Sequence, residues 1–134
     1  LLPHIQSVLL PEQGMMSFPV TGQNCTMKGW GCTAGGGSVS DTAREVVLPK
    51  VSDTECRFFW GASITTRLCA GYNLAQKGIC SGDSGGPLVC QAESRWIQVG
   101  IASFTSANRP GNVPGVFTRT SQYINWIRET IASN

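Results

Sequence analysis

The sequence predicts an all-β fold: a small antiparallel six-stranded β-barrel followed by one C-terminal α-helix. Three observations carry the prediction. The apolar stretches are short, of strand length, and separated by turn residues. Sixteen glycines and seven prolines in 134 residues supply many turns. Only the end of the chain spaces its apolar residues as a helix does. A composition that is 41% hydrophobic suits one domain with its own core. Residues 1–22 read as a connecting segment, 23–120 as the barrel and 121–134 as the closing helix.

Taken in order, residues 1–22 hold three prolines and no sustained apolar period. Residues 23–30 are the first strand candidate, and 31–41, with Gly35-Gly36-Gly37, read as a surface loop. Residues 43–48 form the second strand. Ser52-Asp53-Thr54-Glu55 is a capping box, so a short helix is expected from there to about Phe59. The remaining strands are 67–70, 87–90, 95–104 and 116–119. Ser121 is expected to cap the last helix, on which Tyr123, Ile124, Ile127 and Ile131 share one face.

Charged residues are only 13% of the chain and the net charge is +2, too small to imply a nucleic acid or a membrane surface as partner. No apolar run approaches the ~20 residues of a membrane span. Leu1-Leu2-Pro3-His4-Ile5 lacks the basic start of a signal peptide and looks like the interior of a longer protein. Six cysteines suggest an oxidising compartment. Asn24-Cys25-Thr26 is a glycosylation sequon, left unused if a neighbouring disulfide hinders it. No cluster has metal-ligand spacing, and no cofactor is expected.

The chemistry is concentrated in Gly82-Asp83-Ser84-Gly85-Gly86-Pro87-Leu88. A serine between glycines suits an acyl-transfer nucleophile. Glycine reaches backbone angles closed to other residues and, lacking a Cβ, lets a substrate carbonyl approach the main chain. The amides of Gly82 and Ser84 can converge on one point and stabilise an oxyanion, where one donor is worth roughly 3–4 kcal/mol. The competing reading is an ordinary polar loop. An α/β-hydrolase elbow needs a helix directly after the serine and a later histidine. Here Pro87-Leu88-Val89 reads as strand and no histidine follows Ser84.

The motif does not stand alone. Gly29-Trp30-Gly31, Cys69-Ala70-Gly71, Gly82 to Cys90, Val99-Gly100-Ile101-Ala102-Ser103, Pro114-Gly115-Val116-Phe117 and Tyr123-Ile124-Asn125-Trp126-Ile127 follow in series. In order and spacing they closely resemble the trypsin/chymotrypsin-like serine proteases over nearly the whole chain. The resemblance implies the C-terminal half of such an enzyme: the second of two β-barrels, with 1–22 as the inter-barrel connection. It makes Ser84 the catalytic nucleophile and the Gly82 and Ser84 amides its oxyanion hole. The family's His and Asp belong to a first barrel whose Ala-Ala-His-Cys-like motif is absent here. His4, the only histidine, stands in a Leu-Pro-His-Ile setting that does not match, and a surface or interdomain role suits it better than that of base. The favoured arrangement is half of a protease cut between its barrels and held by its partner. A separated piece of one polypeptide and a lone domain working without hydrolysis are the alternatives.

A carboxylate in so tight a turn calls for a positive partner, since an unpaired buried charge is costly. The resemblance implies that the partner of Asp83 is the N-terminal amine released when a zymogen is cut. Leu1-Leu2-Pro3 does not resemble the Ile-Val-Gly-Gly start that supplies it. Resemblance also supplies two disulfides, Cys25–Cys90 across the barrel and Cys56–Cys69 around the short helix. The family's usual partner of Cys80 lies in the loop after Ser103, where this chain has Arg109. Cys32 is then left for Cys80, two free thiols being the alternative. Leu9 stands where many relatives carry a cysteine linked to another chain, so no interchain disulfide is expected.

In the family, the residue six before the nucleophile floors the primary pocket; here it is Gly78, with no carboxylate to hold Lys or Arg. Ile79 is expected to narrow the base, and Ser81 to sit at the mouth. Ser103, Phe104 and Thr105 form one expected wall and Pro114-Gly115-Val116 the other, with Thr105 partly closing its side. The Gly78-Ile79 floor and the run from Gly100 to Phe104 resemble the leukocyte elastase group, implying cleavage after small to medium aliphatic residues. A chymotrypsin-like preference for aromatic residues or Leu is the runner-up. The 103–105 stretch is expected to pair with extended substrate backbone. The implied partners are the first β-barrel, peptide and protein substrates and protein inhibitors, in a secreted or secretory-granule setting. A non-catalytic relative acting as a binding module is the second class of function, disfavoured by the intact Ser84.

Overall fold

The computed structural model of the chain describes residues 2–31, 38–61, 65–72, 79–80, 83–106 and 113–134. Its strands are β1 (Asn24–Gly29), β2 (Arg44–Pro49), β3 (Arg67–Ala70), β4 (Pro87–Ala92), β5 (Arg95–Phe104) and β6 (Gly115–Arg119). Helix α1 (Asp53–Trp60) lies between β2 and β3. A 3-10 turn (Thr120–Tyr123) leads into helix α2 (Ile124–Ala132). The strands form one antiparallel sheet in the order β2-β1-β4-β5-β6-β3. The sheet curls until its edges meet. Lys50, just past β2, bridges Ala70 of β3; Val51 N–H donates to the Cys69 carbonyl (2.9 Å) and Gly71 N–H to the Pro49 carbonyl (3.0 Å).

Strand alternation decides which side chains are inside. β1 buries Cys25 and Met27 while Asn24 and Lys28 face solvent, and β4 buries Leu88 and Cys90. With Leu48 and Phe117 these residues build the main core. Each such large apolar side chain gains roughly 1.5–3 kcal/mol on burial. The opposite face of β3 and β6 packs under α1, where Val51, Cys56, Cys69 and Val116 form a second cluster with Trp60. Cys25 and Cys90 are paired in register across β1 and β4 and joined by a disulfide, and Cys56–Cys69 ties α1 to β3.

Helix α1 starts where its sequence says it should. Ser52 Oγ accepts the Glu55 N–H (3.1 Å), satisfying one of the helix's orphan donors. Asp53 Oδ1 then takes both Lys50 Nζ (3.2 Å) and an Arg119 guanidinium nitrogen (3.1 Å). The last helix departs from expectation. Ser121 does not cap it but lies inside the 3-10 turn, and its hydroxyl donates to the Met15 carbonyl (2.7 Å). The start of α2 is satisfied from the connecting segment instead. Gln13 Oε1 accepts the Asn125 N–H (2.9 Å), from 112 positions away. No local pattern could reveal an acceptor so distant. Of the expected apolar face of α2, Ile124 is buried whereas Tyr123 and Ile131 are exposed.

The connecting segment is not a free linker either. Leu9 runs parallel to β5, donating its N–H to the Trp96 carbonyl (3.0 Å) and accepting from Gln98 N–H (2.9 Å).

Candidate active site

Ser84 stands on the surface in a turn fastened from several sides. The Asp83 carbonyl accepts the Gly86 N–H (2.9 Å), and Asp83 N–H donates to the Cys80 carbonyl (3.0 Å). Gly85 has φ +84°, a left-handed conformation that strains any residue with a Cβ. Its N–H donates to the Ala102 carbonyl (2.8 Å), and Ala102 N–H donates back to the Gly86 carbonyl (2.9 Å). These two bonds stitch the turn to β5.

β5 is irregular at this point. Ala102 pairs with Phe117 and Phe104 with Val116, which leaves Ser103 as the extra residue of a bulge. The Ser84 hydroxyl donates to the Ser103 carbonyl across 3.4 Å, a long and therefore weak bond. The Ser84 N–H has no acceptor among the described residues. Within the described residues the turn therefore presents a solvent-facing hydroxyl beside an amide with no acceptor.

The neighbouring Asp83 carboxylate is half-buried. Oδ1 accepts the Gly31 N–H (2.8 Å) and Oδ2 the Cys80 N–H (2.9 Å). It sits so close to Gly29 and Gly31 that a Cβ on either would run into its oxygens, which explains the glycines flanking Trp30. The sequence predicts a cation beside this carboxylate. Among the described residues the charge is met by backbone amides.

Around the expected pocket, Ile79 is 3% exposed and belongs to the main core. It fills the space beside Gly115, where an added Cβ would lie 2.7 Å from Ile79 Cγ1. The ring of Phe104 meets Trp60 edge to face (5.1 Å between centroids, 87°), and Trp60 Nε1–H donates to the Pro114 carbonyl (2.9 Å). The end of α1 thus spans the two stretches read as pocket walls. Arg67 holds its guanidinium 5.6 Å from the Phe104 ring centroid. Ser103 and Phe104 are exposed, and Thr105 is half-buried. Sequence reasoning did not single out Trp60 or Arg67. The available signal was the aromatic run Phe58-Phe59-Trp60 ending a short capped helix next to an expected wall.

The family model described as Trypsin matches residues 2–127. The chain belongs to the trypsin family. At that level the match supports a function of the serine-protease type. Of the other residues singled out from sequence, Gly78, Ser81, Gly82 and Cys32 lie outside the described residues, as does Arg109. Cys80 is disulfide-bonded, while the pairing with Cys32 lies outside what is described. His4 sits in an exposed turn closed by Ile5 N–H to the Leu2 carbonyl (2.9 Å), with no bond to Ser84. Among the described residues no three His, Cys, Asp or Glu are grouped to hold a metal ion, and no helix is long and apolar enough to cross a membrane.

Proposed function

We propose that this chain is the nucleophile-bearing half of a trypsin-family serine endopeptidase, completed by a first barrel that supplies His and Asp. The observation that carries the reading is Ser84: an exposed hydroxyl on a turn stitched to β5, with its own N–H unengaged among the described residues. In the assembled enzyme an imidazole takes the hydroxyl proton as Oγ attacks the scissile carbonyl. The oxyanion is held by the Ser84 and Gly82 amides. Collapse expels the amine, protonated by the same imidazole, and water then releases the acyl group from Ser84. Asp83 orients this turn, and pairing with an N-terminal amine freed by zymogen cleavage fixes it in the active form.

Gly78 at the pocket floor, with Ile79 packed against Gly115, favours small to medium aliphatic side chains before the cut, in the manner of elastase-type members. Discrimination by a methylene or two is worth about 1–3 kcal/mol, so the boundary with larger side chains is gradual. Disulfides suit a secreted enzyme, and Asn24, exposed at the start of β1, is open to glycosylation. Substrates and protein inhibitors alike would bind at the Ser84 face.

The deciding experiment uses the full-length protein and a biotinylated fluorophosphonate. Ser84 is expected to be labelled, and Ser84→Ala to lower peptide hydrolysis at least about a thousandfold. A folded protein that leaves Ser84 unlabelled would move the chain to the class of non-catalytic binding modules. Strong preference for Arg or Lys in a peptide panel would overturn the pocket assignment alone.

A further inference from the structure

We infer that Arg67 recognises an acidic side chain of the peptide substrate, upstream of the bond that is cut. The inference rests on the protease reading above and extends it to a second recognition point.

Arg67 opens β3, opposite Thr118 of β6, and its carbonyl accepts Arg119 Nε (3.1 Å), so its backbone is fixed. Its guanidinium lies 5.6 Å from the centroid of the Phe104 ring, which belongs to β5, the next strand beyond β6. The ring is itself held by Trp60, which is anchored to Pro114. The cation is therefore pre-positioned by an aromatic platform, as a cation–π contact within about 6 Å allows.

That cation has no carboxylate partner among the described residues. Among the described residues the ion pairs are Lys28–Glu45, Lys50–Asp53 and Arg119–Asp53, and none involves Arg67. Asp53, the acid at the nearby start of α1, is already shared by Lys50 and Arg119. A half-buried guanidinium that, among the described residues, meets only a ring face keeps hydrogen-bond donors for a partner from outside. A carboxylate is the group whose planar geometry suits that fork.

Position says which part of a substrate would bring it. Ser84 faces Ser103, and Phe104 and Thr105 lead away from the nucleophile along the stretch that receives extended backbone. A peptide laid antiparallel on that stretch, with its scissile carbonyl at Ser84, carries its upstream residues past Phe104 and towards Arg67. Asp or Glu there reaches a waiting cation; Lys there meets repulsion.

The test separates recognition from catalysis. Full-length protein carrying Ser84→Ala is titrated, by fluorescence anisotropy, with labelled peptides identical except for Asp, Ala or Lys at successive upstream positions. At one position Asp is expected to bind about fivefold more tightly than Ala, as a partly exposed charge pair allows, and Lys more weakly than Ala. The Asp-to-Ala ratio should fall to about one in Arg67→Gln and be partly retained in Arg67→Lys, and it should shrink with added salt. A purely structural Arg67 would weaken all three peptides alike and leave the ratio intact, which would overturn the inference. If neutral peptides are cleaved by the active protein yet Asp and Ala bind equally, the Arg67 assignment fails and the protease reading stands. If the Asp peptide binds through Arg67 while Ser84 takes no fluorophosphonate, recognition is upheld and the catalytic reading fails.

Discussion

Asp53 shows how much can depend on one carboxylate. Its Oδ1 meets Lys50 and Arg119, which are only 6% and 2% exposed. Removing a partner from a buried pair costs about 3–5 kcal/mol because the remaining charge is stranded. Asp53 is 29% exposed, so solvent screens part of that penalty. Asp53→Asn is expected to lower stability by about 2 kcal/mol, read by urea unfolding; a change within about 0.5 kcal/mol would place the two cations in contact with water. Gly31 makes a comparable point about function. A Cβ there collides with the Asp83 carboxylate, which must leave the Gly31 and Cys80 amides. Gly31→Ala is expected to keep the circular dichroism of the barrel and to lose most fluorophosphonate labelling of Ser84. Full labelling would mean that Asp83 does not govern the turn.

At the scale of elements, α1 is short but fixed along its whole length. Ser52 caps its start, Asp53 joins it to Lys50 and Arg119, Cys56 bonds it to β3, and Trp60 reaches Phe104 and Pro114. That geometry makes α1 a strut between the proposed pocket walls. Trp60→Phe keeps a ring against Phe104 and loses only the N–H donor, an expected cost of about 1 kcal/mol. Trp60→Ala opens a cavity as well and should cost about 3 kcal/mol. Both variants are expected to flatten the ratio of kcat/KM values between aliphatic and aromatic peptides. A loss of stability with that ratio unchanged would confine Trp60 to packing.

For the molecule as a whole, the two described disulfides differ in what they close. Cys25–Cys90 spans 65 residues and Cys56–Cys69 spans 13. Chain entropy assigns them about 4 and about 3 kcal/mol respectively, so the Cys25→Ala/Cys90→Ala double variant should unfold at lower urea than Cys56→Ala/Cys69→Ala. The reverse order would mean that tethering α1 matters more than restraining the chain. The strand positions, the Ser52 cap and the tight turn at Ser84 were legible from sequence because each depends on neighbours: alternation, a serine three residues before its amide, glycines around Ser84. The cap on Asn125, the shared Asp53, the amides beneath Asp83 and the Trp60 bridge were not. In each case at least one partner lies more than 50 positions away in the chain, and only the folded sheet with its helices and connecting segment puts them in contact. The chain's local chemistry therefore determined the turn that presents Ser84 and the strands on either side of it. The tertiary structure alone decided what holds that serine in place, because long-range hydrogen bonds and ion pairs leave no period or spacing in a sequence.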